Sequence, residues 1–326
     1  MNVLIIGGGG FLGQKLAKAL AARGEIKGAP ITKMTLADLN EPSTPDAGFP
    51  IEARAVDIVD AGQISALMAG KPDVIYHLAA IVSGQAEAEF DLGMQINLYG
   101  SINVFEAARA LVTNPTLVFT SSMAVFGGDT ATPIGDREYL NPQTSYGAQK
   151  AAAELLLNDY SRKGFFDGRA LRLPTITVRP GKPNAAASSF MSSIFREPLQ
   201  GQEAICPVGA DYEHWFLSPR RCVQNLIIAA EIPAQNWGTN RCIALPGRTY
   251  NIGETVEAMR RVAGDEPVNR IRWEPDERIQ AIVHGWKSRI DPSRALALGF
   301  VRDDSFEDNI RYFLEDDIQT PEGDKP

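Results

Sequence analysis

The chain opens on Val3-Leu4-Ile5-Ile6, which run directly into Gly7-Gly8-Gly9-Gly10-Phe11-Leu12-Gly13. A short apolar run stopped by glycines reads as a buried strand. The residues from Phe11 to Arg23 then repeat apolar positions with a helical period until Gly24 closes them. Strand, tight turn and helix in this order constrain the backbone strongly. Gly7, Gly10 and Gly13 let the turn fold tightly, let the backbone approach an anion and let the helix pack on its strand, while the helix N-terminus offers free N–H donors. The overlapping spacing Gly8-x-Gly10-x-x-Gly13 is present as well. Glycine-rich turns without a ligand share such spacing, so its weight comes from its place between strand and helix.

The same alternation continues. Residues 33–36 read as a second strand running into Ala37-Asp38, and residues 52–56 as a third running into Asp57. A short helix around 64–68, a strand at 74–78, a long helix from about Glu87 to Leu111 and a strand at 117–120 follow. Next comes a helix that starts at Tyr146 and runs to about Arg162. Strands separated by helices predict an α/β fold: a Rossmann-type, doubly wound parallel sheet covered on both faces. After Leu171 the texture changes to Pro174, Pro180, Pro183 and the small-residue run from Ala185 to Ser189, with a helix near 223–231. The predicted organisation is a dinucleotide-binding domain over residues 1–175 and a smaller C-terminal α/β substrate-binding region over 176–314. Some segments of that region are free to rejoin the first domain, and residues 315–326 read as an acidic, mobile tail.

At 326 residues, with 44% hydrophobic and 22% charged residues, the chain can build one large domain or a large and a small one. Its 32 basic and 40 acidic residues leave a net charge of −8, which gives no general cationic field for nucleic acid or a membrane surface. Small molecules are the expected partners. Cys206, Cys222 and Cys242 are odd in number and lack any C-x-x-C, so they read as reduced packing residues. No apolar stretch reaches about 18 residues and no basic leader precedes the first strand, so the expected location is cytoplasmic.

The chemistry gathers around Tyr146-Gly147-Ala148-Gln149-Lys150. Residues four apart share a helix face, where an ammonium can depress a phenol's pKa. Ser122, at the end of the fifth strand, lies at the edge where ligands of open α/β sheets bind. Alone it would read as a turn or cap serine; with Tyr146 and Lys150 it reads as catalytic. Asn97 either bridges helix backbone and Lys150 through water or is a plain helix-surface residue. Asp38 would accept hydrogen bonds from the adenosine ribose and repel a 2′-phosphate, which favours NAD over NADP, while Asp57-Ile58 either meets the adenine or supplies a turn or helix-cap aspartate. His77, on an apolar strand, reads as a satisfied core histidine, His214 as either a pocket or a packing residue. No H-E-x-x-H or carboxylate cluster suggests a metal.

Taken in order, Gly7-x-x-Gly10-x-x-Gly13, Asp38, Asp57-Ile58, His77-Leu78-Ala79-Ala80, Asn97-Leu98-Tyr99-Gly100, Ser121-Ser122 and Tyr146-x-x-x-Lys150 resemble the extended short-chain dehydrogenase/reductase superfamily over nearly the whole chain. Its members include nucleotide-sugar epimerases and dehydratases. The resemblance implies that Tyr146 is the general base, that Lys150 binds the nicotinamide ribose and lowers the tyrosine pKa, and that Ser122 steadies the substrate oxygen. It puts Phe11, Leu12, Leu78, Ala79, Ala80 and Pro174 in the cofactor cleft and Ser83 beside the substrate. It also implies a homodimer formed by the helices following Asn97 and Tyr146, with Val104, Ala107, Ala108, Ala152, Leu155, Leu156 and Leu157 as apolar positions. Phe126 stands where many relatives have Tyr, Ile6 where many have Thr, and Met123-Ala124 where dehydratases carry Asp-Glu.

A narrower resemblance lies in Leu173-Pro174-Thr175-Ile176-Thr177-Val178-Arg179-Pro180, in Ile194-Phe195-Arg196-Glu197-Pro198-Leu199 and in His214-Trp215-Phe216-Leu217-Ser218-Pro219-Arg220-Arg221. These segments look like the D-erythronate dehydrogenase group, which oxidises the C2 hydroxyl of a four-carbon sugar acid with NAD. A small anionic acid needs a cationic clamp, and Arg179 and Arg220 are the expected sources, with Lys182 and His214 next. A nucleotide-sugar epimerase using the same triad, or a non-catalytic dinucleotide sensor, are the alternatives.

Overall fold

The computed structural model describes residues 1–135, 138–181 and 187–318. Its strands are β1 (Asn2–Ile6), β2 (Lys33–Asp38), β3 (Ile51–Ala55), β4 (Val74–His77), β5 (Thr116–Ser122), β6 (Asp167–Leu173), β7 (Thr175–Ile176), β8 (Glu213–Leu217), β9 (Cys242–Ala244) and β10 (Arg248–Asn251), with two shorter two-stranded pairs away from the site. The main helices are α1 (Phe11–Arg23), α2 (Ala61–Met68), α3 (Gly100–Ala110), α4 (Ser145–Arg162), α5 (Pro219–Glu231), α6 (Ile252–Ala263) and α7 (Phe306–Asp316).

Seven strands form one all-parallel sheet in the order β9-β6-β5-β4-β1-β2-β3. Strand order reverses between β1 and β4, which opens a crevice beyond their carboxyl ends. The opening run is continuously apolar because both sheet faces are covered: Val3 and Ile5 join one core with Leu16, Leu20 and Leu226, while Leu4 and Ile6 join another with Val104, Phe105, Phe119 and Leu157. A separate core, built on Phe195, Phe216, Ile252, Phe306 and Phe313, lies beneath a three-stranded sheet of order β10-β8-β7. Burying each such side chain contributes about 1.5–3 kcal/mol.

After the second sheet begins, the chain returns to the first. Leu226, Ile227 and Ala230 of α5 enter the same core as Val3 and Ile5, and β9 pairs with β6. Ser218 caps α5 by accepting from the Arg221 N–H, and Asp303 holds Ser218 through its N–H at 2.8 Å and its hydroxyl at 2.5 Å. The expected long helix from 87 to 111 is instead broken. A helix over Ser83–Ala88 ends at Glu89, and a π-helical stretch, Met94–Tyr99, precedes α3. The wider turn carries Asn97, whose buried amide satisfies both backbone groups of Ile81.

The acidic end is also more structured than the sequence suggests. Helix α7 runs to Asp316, Arg220 pairs with Glu315 and Asp316, and Lys15 pairs with Asp317 at 2.7 Å. Residues 319–326 lie outside the described residues. Among the described residues no helix is long and apolar enough to cross a membrane.

Gly147 sets how closely α4 approaches the loop after β5: a Cβ there would overlap the Ala124 carbonyl oxygen and meet Pro142 at 3.0 Å. Gly147→Ala should therefore lower the unfolding free energy by about 1–3 kcal/mol, the usual cost of overpacking, read as a lower urea midpoint. A parental midpoint would show that the helix and this loop are not in contact.

Candidate active site

The glycine turn is shaped by what a side chain would meet. A Cβ on Gly7 would come within 2.6 Å of the Ala79 N, and one on Gly13 would overlap the Gly7 carbonyl oxygen. Gly7 and Gly8 donate to the Ala37 carbonyl at 2.8 and 2.9 Å, and Leu78 and Ala79 to the Ile6 carbonyl at 2.8 and 3.1 Å. The ends of β1, β2 and β4 are thereby tied together around the N-terminus of α1, where Phe11 and Leu12 begin the helix. Asp38 is locked at the end of β2: its carboxylate accepts from Gly9 N–H at 2.9 Å and Leu39 N–H at 2.8 Å. Asp57 accepts from Val59 N–H at 2.9 Å, and Ile58 is buried against Gly100. These residues fit a dinucleotide: a bare backbone cradle at a helix N-terminus, with fixed carboxylates at the neighbouring strand ends.

Ser122 ends β5, half-buried, and its side chain caps the following turn by accepting from Ala124 N–H at 3.1 Å. Thr144 caps α4 by accepting from Gly147 N–H, so the helix starts with Tyr146 beside Ser122. Burial pushes the Tyr146 phenol up to about 12, with the Ser122 hydroxyl acting in the opposite direction. One turn on, Lys150 is 1% exposed; its ammonium donates to the Thr120 carbonyl at 2.9 Å and lies 4.6 Å from the Phe119 ring centroid and 5.8 Å from that of Tyr146. Burial pushes Lys150 down to about 7, against the Glu154 carboxylate, which supports its charged form. The expected depression of the phenol by Lys150 does not appear in this geometry: desolvation dominates and only Ser122 opposes it.

Asn97 is buried rather than on the helix surface. Its amide donates to Gln149 Oε1 at 2.9 Å and has no direct contact with Lys150. His77 is a core residue, as expected: its Nε2 meets Ser101 Oγ at 2.8 Å, the ring packs on Phe119, and burial with the nearby Lys150 pushes it down to about 3. Ser83 starts the short helix beyond β4, and Pro174 is buried just past β6, whose Leu173 pairs in register with Ser122.

The two expected clamps differ. Arg220 lies over the Tyr312 ring at 3.9 Å and is engaged by Glu315 and Asp316, so its charge is already matched. Arg179 is half-buried; its backbone is held by Ser192 and Arg196, and among the described residues its guanidinium has no hydrogen-bond or ion-pair partner. Burial and the Arg196 charge hold it below the usual arginine range. His214 is buried, its ring nitrogens turned to Thr175 and Tyr212. Lys182 lies outside the described residues. Two supporting residues were not singled out from the sequence: Glu154 and Arg172 form a buried bidentate pair at 2.7–3.2 Å, although Glu154 stands one turn beyond Lys150. Among the described residues no group of three or more His, Cys, Asp or Glu could hold a metal ion.

A profile of the NAD dependent epimerase/dehydratase family matches residues 3–216. The chain belongs to this family. It is 47% identical over 320 residues to a D-erythronate dehydrogenase of Cupriavidus necator, covering 97% of this chain and 98% of that one. It is 42% identical over 321 residues to a D-erythronate dehydrogenase of Haemophilus influenzae, covering 98% and 100%. Among solved structures, the nucleoside-diphosphate-sugar epimerase from Agrobacterium tumefaciens superposes with a TM-score of 0.93 at 48% identity, over 97% of this chain and 94% of that one. A GalE-like L-threonine dehydrogenase from Cupriavidus necator, at 24% identity and a TM-score of 0.83 over 97% and 100%, shares the fold. Family membership implies a nicotinamide dinucleotide, which the glycine cradle fits.

Burial raises the phenol and lowers the amine, in each case because it disfavours the charged form. Between about 7 and about 12 the pair holds a single proton, which at rest sits on the phenol. Below that range it holds two and the phenol cannot shed one to the amine. Catalytic efficiency should therefore fall as pH drops through about 7. Tyr146→Phe should abolish that limb and lower turnover by about 10²–10⁴-fold while leaving cofactor binding intact, since only the ionisable oxygen is lost. Near-parental turnover in Tyr146→Phe would remove this residue from the chemistry.

Proposed function

We propose that the protein is an NAD-dependent dehydrogenase that oxidises the C2 hydroxyl of a small sugar acid, D-erythronate, to the 2-oxo acid. The near full-length identity to two D-erythronate dehydrogenases carries this proposal, and Ser122, Tyr146 and Lys150 supply the chemistry it requires. Tyr146 passes its proton to Lys150 and, as phenolate, accepts the proton of the substrate hydroxyl. Ser122 hydrogen-bonds the same oxygen. The cofactor supplies the hydride acceptor for C2. Asp38, held by two backbone N–H groups and paired with no cation among the described residues, would bind the ribose hydroxyls and disfavour a 2′-phosphate. Arg179, with no ion-pair partner among the described residues, is the better anion clamp than Arg220.

The name of the Agrobacterium structure favours a second function, epimerisation of a nucleotide sugar by the same triad. A sensor role is less well supported, since it gives a buried Tyr-Lys pair no purpose. With NAD and D-erythronate the purified protein should accumulate NADH, and NADP should substitute poorly. Arg179→Ala should raise KM for the acid by about tenfold or more without changing the Kd for NAD, the loss of one charge-assisted contact. Turnover of a UDP- or dTDP-sugar without net reduction, and no NADH with D-erythronate, would favour the epimerase.

We also propose a homodimer through α4 and the helix that carries Asn97. Val104, Ala108 and Leu157, expected at that surface, are buried inside the subunit; Leu155, at 65% exposure, and Tyr99, at 52%, are the large apolar side chains these helices expose. Light scattering should give twice the subunit mass at micromolar concentration, and a mass near 35.4 kDa would count against the dimer.

A further inference from the structure

His214 is buried with one ring nitrogen on Thr175 and the other on Tyr212. Its ring is 6% exposed and packed among Tyr212, Phe216 and Trp286. Nε2 lies 2.6 Å from Thr175 Oγ1, and Nδ1 lies 3.2 Å from the Tyr212 hydroxyl. That hydroxyl is also 3.1 Å from the Val283 carbonyl oxygen. A carbonyl only accepts, so the phenol proton lies toward Val283; otherwise two oxygens would face each other with no hydrogen between them. The contact at Nδ1 is then attractive only if Nδ1 carries the ring proton. Burial keeps the imidazole neutral, pushing it down to about 3, so Nε2 is bare and Thr175 donates its only proton to it. Thr175 Oγ1 is left with lone pairs and no proton to give.

Its position gives that polarity a use. Thr175 opens β7, two residues past Leu173, and Leu173 is the register partner of Ser122. The half-buried Thr175 thus follows the strand end beside the one that bears Ser122, beyond the carboxyl edge where the sheet's ligands bind.

We propose that Thr175 determines substrate specificity as an acceptor-only hydroxyl, positioned by His214, that takes a hydrogen bond from a second hydroxyl of the substrate at C3 or C4. It rests on the dehydrogenase function above. A hydroxyl committed in this way cannot serve a carboxylate, which also only accepts, so the acid group must be met elsewhere. It selects polyhydroxy acids over simple 2-hydroxy acids, because an analogue lacking the donor leaves Oγ1 unpaired.

The test compares D-erythronate with 2-hydroxybutyrate of the same C2 configuration, which lacks both further hydroxyls. Thr175→Val should lower kcat/KM for D-erythronate by about five- to tenfold, as expected for one neutral hydrogen bond, and leave 2-hydroxybutyrate unchanged or improved. Thr175→Ser should restore the preference. His214→Phe should reproduce Thr175→Val, while His214→Gln, whose amide oxygen can accept where Nε2 did, should retain most of the discrimination. Nitrogen-15 NMR of the imidazole should show a neutral ring protonated at Nδ1 across the neutral pH range. A ring protonated at Nε2, or equal losses on both acids in Thr175→Val, would overturn the assignment. Absence of NADH with D-erythronate in the parent would instead sink the dehydrogenase function and the proposed contact with it, whereas an active parent with unselective loss in the variant sinks the contact alone.

Discussion

The site depends on a lysine amine placed where solvent cannot reach it. Lys150 is held on the Thr120 carbonyl, over the Phe119 ring, and its charge is supported by Glu154 one helical turn away. Glu154 is itself gripped by both arms of Arg172, which stacks over Phe126 at 4.8 Å. Removing one partner of such a buried pair typically costs about 3–5 kcal/mol, so α4, β6 and the loop after β5 are coupled through it. Arg172 pairs in register with Ser121, and the same coupling therefore fixes Ser122 against Tyr146.

Burial acts with opposite sign on the two titrating groups, since it disfavours the charged form of each. A neutral phenol and a neutral amine hold the same number of protons as a phenolate and an ammonium. On the proposed mechanism the catalytic form is reached by moving one proton within the pair, without exchange with solvent. The cost is the separation of charge in a desolvated cleft. Ser122, which lowers the phenol, and Glu154, which supports the ammonium, both act in the required direction.

Much of this was legible in the sequence where local spacing carries it. The run Val3 to Gly13 gives strand, turn and helix because its apolar period and its glycines are contiguous, and Tyr146 and Lys150 share a face because helical geometry requires it. What escaped depends on partners far along the chain. Arg220 looked available until Glu315, 95 positions away, reached it, and His214 could not be placed until Thr175, 39 positions away, was beside it. Asn97 reads equally as a water bridge to Lys150 or as a helix-surface residue, because the π-helical turn that rotates it inward is announced by no period. Where α5 begins its return to the first sheet, Asp303 holds Ser218, again a contact without local signature.

Carbon-13 NMR of the lysine Cε, with Lys150→Met assigning the resonance, measures directly whether burial leaves Lys150 neutral above about 7. One lysine should titrate with a midpoint near 7, well below the ordinary value of about 10.4. If the resonance lost in Lys150→Met instead titrates with the ordinary lysines, Lys150 is an ammonium throughout the working range and the shared-proton account of the Tyr146–Lys150 pair is wrong.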